Sequence, residues 1–174
     1  MADYNLEKLF NDLSKRKKLH KEISYTSSLL ANKNLLAKKV GEESIEVILE
    51  FLDNNKNKII KESADLLYHL CVIWISADIK PDDVWREFYK KKSYTSTLLT
   101  NKNLLAKKIG EESIEVILEY LDNNKNKIIK ESADLLYHLC VIWISADIKP
   151  EDVWHELYRR RGISGLEEKK RRLS

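Results

Sequence analysis

Four acidic side chains in this sequence stand where an amphipathic helix would otherwise place leucine or isoleucine. Glu43 falls on the stripe formed by Leu36, Val40 and Val47, and Glu46 follows three residues later, so one helix sends two carboxylates toward its interior side. Glu62 and Asp65 repeat that spacing on the next helix, with Ile59, Leu66 and His69 as neighbours. Two antiparallel helices then bring four acids face to face. Removing even one ionised carboxylate from water costs several kcal/mol, and four together repel one another, so a cation must neutralise them. Ligands that are all oxygen favour a hard ion, and Mg2+, which keeps some of its waters, fits a site that also takes a phosphate. The alternative is a set of solvated surface carboxylates, which the interrupted apolar stripes weaken. Gly41 weakens it further: a glycine inside a helix costs about 1 kcal/mol relative to Ala, and close backbone approach or a ligand accounts for it.

The same chemistry is present twice. Residues 24–92 are followed at once by a second copy, residues 93–161, in which 59 of 69 aligned positions are identical. The acids recur as Glu112, Glu115, Glu131 and Asp134. Copies this alike should share one local fold, giving an N-terminal helix within 1–23, repeat one (24–92), repeat two (93–161) and a tail (162–174).

Periodicity supplies the elements that hold these acids. Leu6, Leu9, Phe10 and Leu13 form a helical stripe in the unrepeated start, with no counterpart before copy two. Residues 24–31 read as a short helix, Asn32 as a left-handed exit, and Asn34 as the cap of a helix running to about residue 52. The polar stretch 53–57 is a turn. Residues 58–77 form the central helix, apolar nearly all round from Leu66 onward and therefore enclosed by other helices. Pro81 opens a fourth helix carrying Val84, Trp85, Phe88 and Tyr89. The expected fold is an all-α helical bundle in which the two repeats form a single-chain pseudo-dimer, or else exchange between two chains. The junction between Lys92 and Ser93 has no linker. Either the fourth helix turns sharply and stands in for the missing first helix, or it continues into a longer helix that separates the copies.

With 4 Gly, 2 Pro and 34% charged residues, composition supports a helical protein. A net charge of +3 does not argue for nucleic acid. Basic runs at 15–21, 159–161 and 171–172 read as solvated helix ends that could meet a polyanion. Cys71 and its copy Cys140 sit in apolar runs and read as reduced thiols. No apolar stretch approaches the roughly 20 residues of a membrane span, which suggests a cytoplasmic protein without a membrane partner.

The run Gly41-Glu42-Glu43-Ser44-Ile45-Glu46, followed by Glu62-Ser63-Ala64-Asp65, resembles the acidic signature of the all-α nucleoside triphosphate pyrophosphohydrolases. Ser24-Tyr25-Thr26, the run Asp65-Leu66-Leu67-Tyr68-His69-Leu70 and the tail from Gly162 to Lys169 narrow the resemblance to the phosphoribosyl-ATP pyrophosphohydrolases of histidine biosynthesis. MazG-like and dimeric dUTPase-like house-cleaning enzymes share the acidic signature alone. The resemblance implies Mg2+-dependent hydrolysis of a nucleotide, phosphoribosyl-ATP, to phosphoribosyl-AMP and pyrophosphate by a helical dimer. It makes Glu43, Glu46, Glu62 and Asp65, with their four copies, metal ligands. Glu42 and Glu111 would be outer-shell or second-metal residues, and they are the first candidates among the free carboxylates for the catalytic base. Lys38, Lys39, Lys107 and Lys108 would hold phosphates, and Tyr25 with its copy Tyr94 would meet the base. Usual members carry one copy per chain, so a tandem pair with one first helix and one tail, natural or constructed, leaves open whether catalysis is intact. His69 and His138 read as hydrogen-bonded core residues more readily than as bases, and Tyr68 as packing.

Overall fold

A computed structural model describes residues 4–17, 19, 24–90 and 95–161. Among them all regular structure is helical. The unrepeated start forms α1 (Leu6–Arg16); repeat one forms α2 (Tyr25–Leu30), α3 (Lys33–Leu52), α4 (Lys56–Ser76) and α5 (Pro81–Phe88). Repeat two follows with α6 (Thr95–Leu99), α7 (Lys102–Leu121), α8 (Lys125–Ser145) and α9 (Pro150–Arg159). The junction at Lys92–Ser93, Tyr94, the lysines at 18 and 21, and the tail 162–174 lie outside the described residues.

Local chemistry sets the boundaries. Asn32, not Asn34, caps α3: its side chain accepts from Leu35 N while its own backbone is extended. Asn55 caps α4, its side chain accepting from Lys58 N. The left-handed exits fall on Asn54 and Asp78 and on their copies Asn123 and Asp147, all with φ between 52° and 58°. Asn and Asp tolerate that conformation better than other side chains that carry a Cβ.

Each repeat is an antiparallel hairpin, α3 with α4 and α7 with α8. The hairpins meet through α3 and α7, and the fourth helices are exchanged: α5 lies on α8, and α9 lies on α4. Contacts across this interface occur in pairs related by 69 positions, as a two-fold axis requires. Trp74 Nε1 donates to Ser132 Oγ at 3.0 Å and Trp143 Nε1 to Ser63 Oγ at 2.9 Å. Lys33 Nζ donates to Leu121 O at 2.9 Å and Asn123 Oδ1 at 2.7 Å, and Lys102 Nζ to Leu52 O and Asn54 Oδ1 at the same distances. Both lysines thereby cap the carboxyl end of a helix in the other repeat.

Gly41 and Gly110 face the partner helix, where an added Cβ would meet Ile117 Cδ1 at 3.5 Å and Ile48 Cδ1 at 3.6 Å. Those are ordinary contacts, so packing at these two positions leaves room for a methyl group. Tyr89, expected on the apolar stripe of the fourth helix, lies beyond α5 and is 81% exposed.

The fourth helix of repeat one ends at Phe88 and packs on the other repeat, so it does not hold the copies apart. Nor does it replace the missing first helix, because α5 on α8 matches α9 on α4, whereas α1 adds a further layer on α4 that also touches α2 and α5. Ile75 of α4 is accordingly 5% exposed and its copy Ile144 is 60% exposed.

The reciprocal Trp–Ser pairs give a direct test of the exchanged packing. Ser63→Ala leaves the Trp143 N–H buried without its acceptor and should cost about 1–3 kcal/mol. Ser132→Ala should cost a similar amount, the double variant close to the sum. Urea unfolding midpoints at constant slope measure this; unchanged midpoints would contradict the interface.

Candidate functional site

Helix α3 delivers Glu43 and α4 delivers Glu62 and Asp65 to one place, where ligand oxygens of the three lie within 4.8 Å of one another. In repeat two the residues that gather to the same tolerance are Glu112, Glu115 and Glu131. Glu46 is exposed and stands outside the first group, and Asp134 stands outside the second. Glu43 is buried, and its Oε2 accepts no hydrogen bond among the described residues.

A carboxylate in that position strongly prefers to be neutral. Burial, then the nearby Asp65 and Glu46, push the Glu43 carboxyl up to about 8. The same causes, burial followed by Asp134 and Glu115, bring Glu112 to about 7. The orphaned oxygen and the acids around it suit a divalent cation: without one, Glu43 must keep a proton near neutral pH. Oxygen donors from Glu43, Glu62 and Asp65 make a hard-ion ligand set.

Two lysines border the acids. Lys39 Nζ lies 2.6 Å from Glu42 Oε2 and 4.0 Å from Glu43 Oε1, and Lys38 Nζ lies 3.4 Å from Glu42 Oε1. Lys108 stands 2.8 Å from Glu111 and 3.9 Å from Glu112, with Lys107 3.3 Å from Glu111. The hydrogen bond from Lys39 holds Glu42 below the usual carboxylate range, and those from Lys108 and Lys107 do the same for Glu111. Glu42 and Glu111 are therefore ionised rim carboxylates, while the proton-holding group is Glu43.

His69 is held from both sides. Its Nδ1–H donates to the Asp65 carbonyl at 2.8 Å, leaving Nε2 to accept from the Tyr25 hydroxyl at 3.5 Å. Burial pushes its pKa down to about 4, so the ring is neutral at physiological pH. Tyr25 stacks on Tyr68, with ring centres 6.3 Å apart, and the Tyr68 hydroxyl bonds Thr26 Oγ1 at 2.8 Å. Thr95 and Tyr137 repeat the last contact at 2.8 Å. Tyr25 thus borders the acid site through His69; Tyr94 lies outside the described residues.

One participant escapes a sequence reading altogether. Arg160, just past the end of α9, ion-pairs with Asp65 of the other repeat through Nη1 and donates from Nε to Glu156 Oε1 at 2.7 Å. Its side chain is only 12% exposed. The arginine run reads as a solvated helix end because nothing local reveals that α9 lies on the opposite repeat.

Comparison with known proteins identifies a family. The family described as phosphoribosyl-ATP pyrophosphohydrolase matches residues 5–92 and again residues 89–161. The chain is similar to the phosphoribosyl-ATP pyrophosphatase of Gluconobacter oxydans, at 47% identity over 44% of this chain and 59% of that protein. It is also similar to those of Paramagnetospirillum magneticum, at 45% over 47% and 75%, and of Allorhizobium ampelinum, at 42% over 56% and 86%. The chain spans 59% of the length of the Gluconobacter oxydans protein and 50% of that of a further relative, phosphoribosyl-ATP pyrophosphatase 2 of Rhodopseudomonas palustris. No solved structure gave a significant match. Two successive family matches, each spanning one hairpin with its acids, place the chain in the phosphoribosyl-ATP pyrophosphohydrolase family, with the family's unit present twice.

Proposed function

We propose that the chain hydrolyses phosphoribosyl-ATP to phosphoribosyl-AMP and pyrophosphate, as a cytoplasmic Mg2+-dependent enzyme of histidine biosynthesis that contains both halves of its dimer in one polypeptide. The observation that carries this reading is the buried, unbonded Glu43 oxygen within a three-acid cluster, on a chain of this family. When bound, Mg2+ neutralises triphosphate oxygens and lowers the pKa of a coordinated water.

The protein residues divide the remaining work. Glu43, Glu62 and Asp65 with Glu46 nearby would hold the ion in repeat one, and Glu112, Glu115 and Glu131 with Asp134 in repeat two. Lys38 and Lys39, now occupied with Glu42, would turn to the entering phosphates; Lys107 and Lys108 would do so at the second site. Glu42 and Glu111, ionised before substrate enters and released as those lysines turn to the phosphates, would accept the water's proton as the pyrophosphate leaves. Tyr25, braced by Tyr68 and His69, supplies an aromatic surface for the adenine, and Tyr94 is its copy. Helix α1 and the exchanged α9 cover α4 beside the first site.

Incubation with phosphoribosyl-ATP and Mg2+ should release pyrophosphate; turnover of dUTP or noncanonical triphosphates instead would assign the chain to the house-cleaning enzymes. Glu43→Gln or Glu112→Gln alone should leave about half of the activity if the sites act independently, and the pair should abolish it. Full activity in the double variant would refute the ligand assignment.

Stability without metal should depend on pH through Glu43. Its carboxyl titrates near 4.5 when unfolded and at about 8 when folded. Between those values the native state holds the extra proton, so stability should fall as pH rises from about 5 to 8. Mg2+ replaces that proton, so it should raise the melting temperature more at pH 8 than at pH 6. Glu43→Gln should weaken both trends, and adding Glu112→Gln, whose carboxyl is also raised by burial, should flatten them. A metal-free melting temperature that climbs across this range, unchanged by the substitution, would show that Glu43 is not the buried proton holder.

A further inference from the structure

Three consecutive arginines end α9, and two of them have evident structural uses. Arg159 pairs with Glu156 on the helix surface at 2.8 Å, and Arg161 Nε reaches Asp12 of α1 at 2.9 Å. Arg160 differs. Its guanidinium is fixed by Glu156 of its own helix at the Nε edge, while Nη1 crosses the repeat interface to Asp65, one of the acids suited to a cation. A largely buried cationic fork is thus held against the centre of another repeat's site by a carboxylate that has a second use.

We propose that Arg160 is a phosphate-binding residue of the first repeat's site, supplied across the interface by the second repeat and paired with Asp65 until a divalent cation takes that carboxylate. The inference rests on the metal-dependent pyrophosphohydrolase reading. Once Asp65 turns to the cation, Glu156 keeps the guanidinium in place and its Nη donors face the cluster. The Nη edge then no longer faces its Asp65 carboxylate, and a polyphosphate oxygen pair matches the planar donors of arginine. The ion pair therefore serves as a stand-in that neutralises Asp65 in the empty site and releases a ready-oriented phosphate ligand when the site fills. The aligned residue in the other repeat's sequence is Lys91, a cation without the planar fork.

The test uses the whole chain and two probes. Mn2+ binding is followed by electron paramagnetic resonance, and pyrophosphate binding in Mg2+ by calorimetry, for wild type, Arg160→Gln and Arg160→Lys. Each is repeated with Glu112→Gln, which isolates the first site. Arg160→Gln should tighten Mn2+ at the first site, because nothing then competes for Asp65, and weaken pyrophosphate there by about tenfold. Arg160→Lys should fall between the two. A residue that merely fastens α9 to α4 would shift both affinities in the same direction or neither, and either result overturns the inference. Should Arg160→Gln fail to fold, Arg160→Lys decides alone, since weakened pyrophosphate with undiminished Mn2+ supports the inference and equal loss of both overturns it. Wild-type protein that binds neither probe would overturn the proposed function itself, whereas wild-type binding that Arg160→Gln leaves unaltered would overturn only the role of Arg160.

Discussion

Helices α4 and α8 carry apolar side chains on every side, and a helix of that kind must be enclosed. From Leu66 to Ile75, α4 has Leu66, Leu67, Leu70, Cys71, Val72, Ile73, Trp74 and Ile75 all buried, and fully burying each large one is worth about 1.5–3 kcal/mol. A 69-residue unit has too little surface-covering chain to achieve this by itself. Its own α3 covers one side of α4, and α9 of the other repeat covers another. The exchange of fourth helices, the paired Trp–Ser hydrogen bonds and the lysines that cap the opposite helices all follow from that requirement. The duplication meets it within one polypeptide, although only α4 also receives a first helix.

The geometry of the acid clusters follows from the same packing. The acids sit between the two helices of each hairpin, so enclosing the hairpin also desolvates them. Glu43 responds by favouring its protonated form, and Asp65 by pairing with Arg160. Two neighbouring acids thus solve one electrostatic problem differently, one with a proton and the other with a guanidinium from across the interface. A divalent cation would displace both solutions at once, which couples metal loading to proton release and to a local rearrangement of charge.

The near-identity of the repeats makes their differences informative. Phe51 and Tyr120 are aligned, yet only Tyr120 can form a hydrogen bond with Ser76, at 2.8 Å. Cys71 is buried whereas Cys140 is partly exposed, and Ile75 and Ile144 differ more widely, because α1 has no second copy. Identical residues therefore occupy non-identical surroundings, and the acid groups differ in membership as well: Asp65 belongs to the first, Glu115 to the second.

Much of the acid cluster is legible in the sequence because short-range geometry governs it. Glu43, Glu62 and Asp65 were readable from helical spacing and from the apolar stripes they interrupt. Helical spacing puts Glu46 beside Glu43 on the inward side, yet Glu46 is exposed and outside the first acid group, whereas its copy Glu115, also exposed, joins the second. The cap falls on Asn32 and not on Asn34 although both positions carry asparagine, because only the backbone chooses between them. By itself the sequence determined the all-helical class, the duplication and the acid chemistry, since propensity, periodicity and residue type act within a few positions along the chain. Only the tertiary structure decided which repeat's fourth helix covers which central helix, and so that Arg160 meets Asp65. Those two residues lie 95 positions apart, and burial of apolar surface, which has no direction written into local sequence, brings them together.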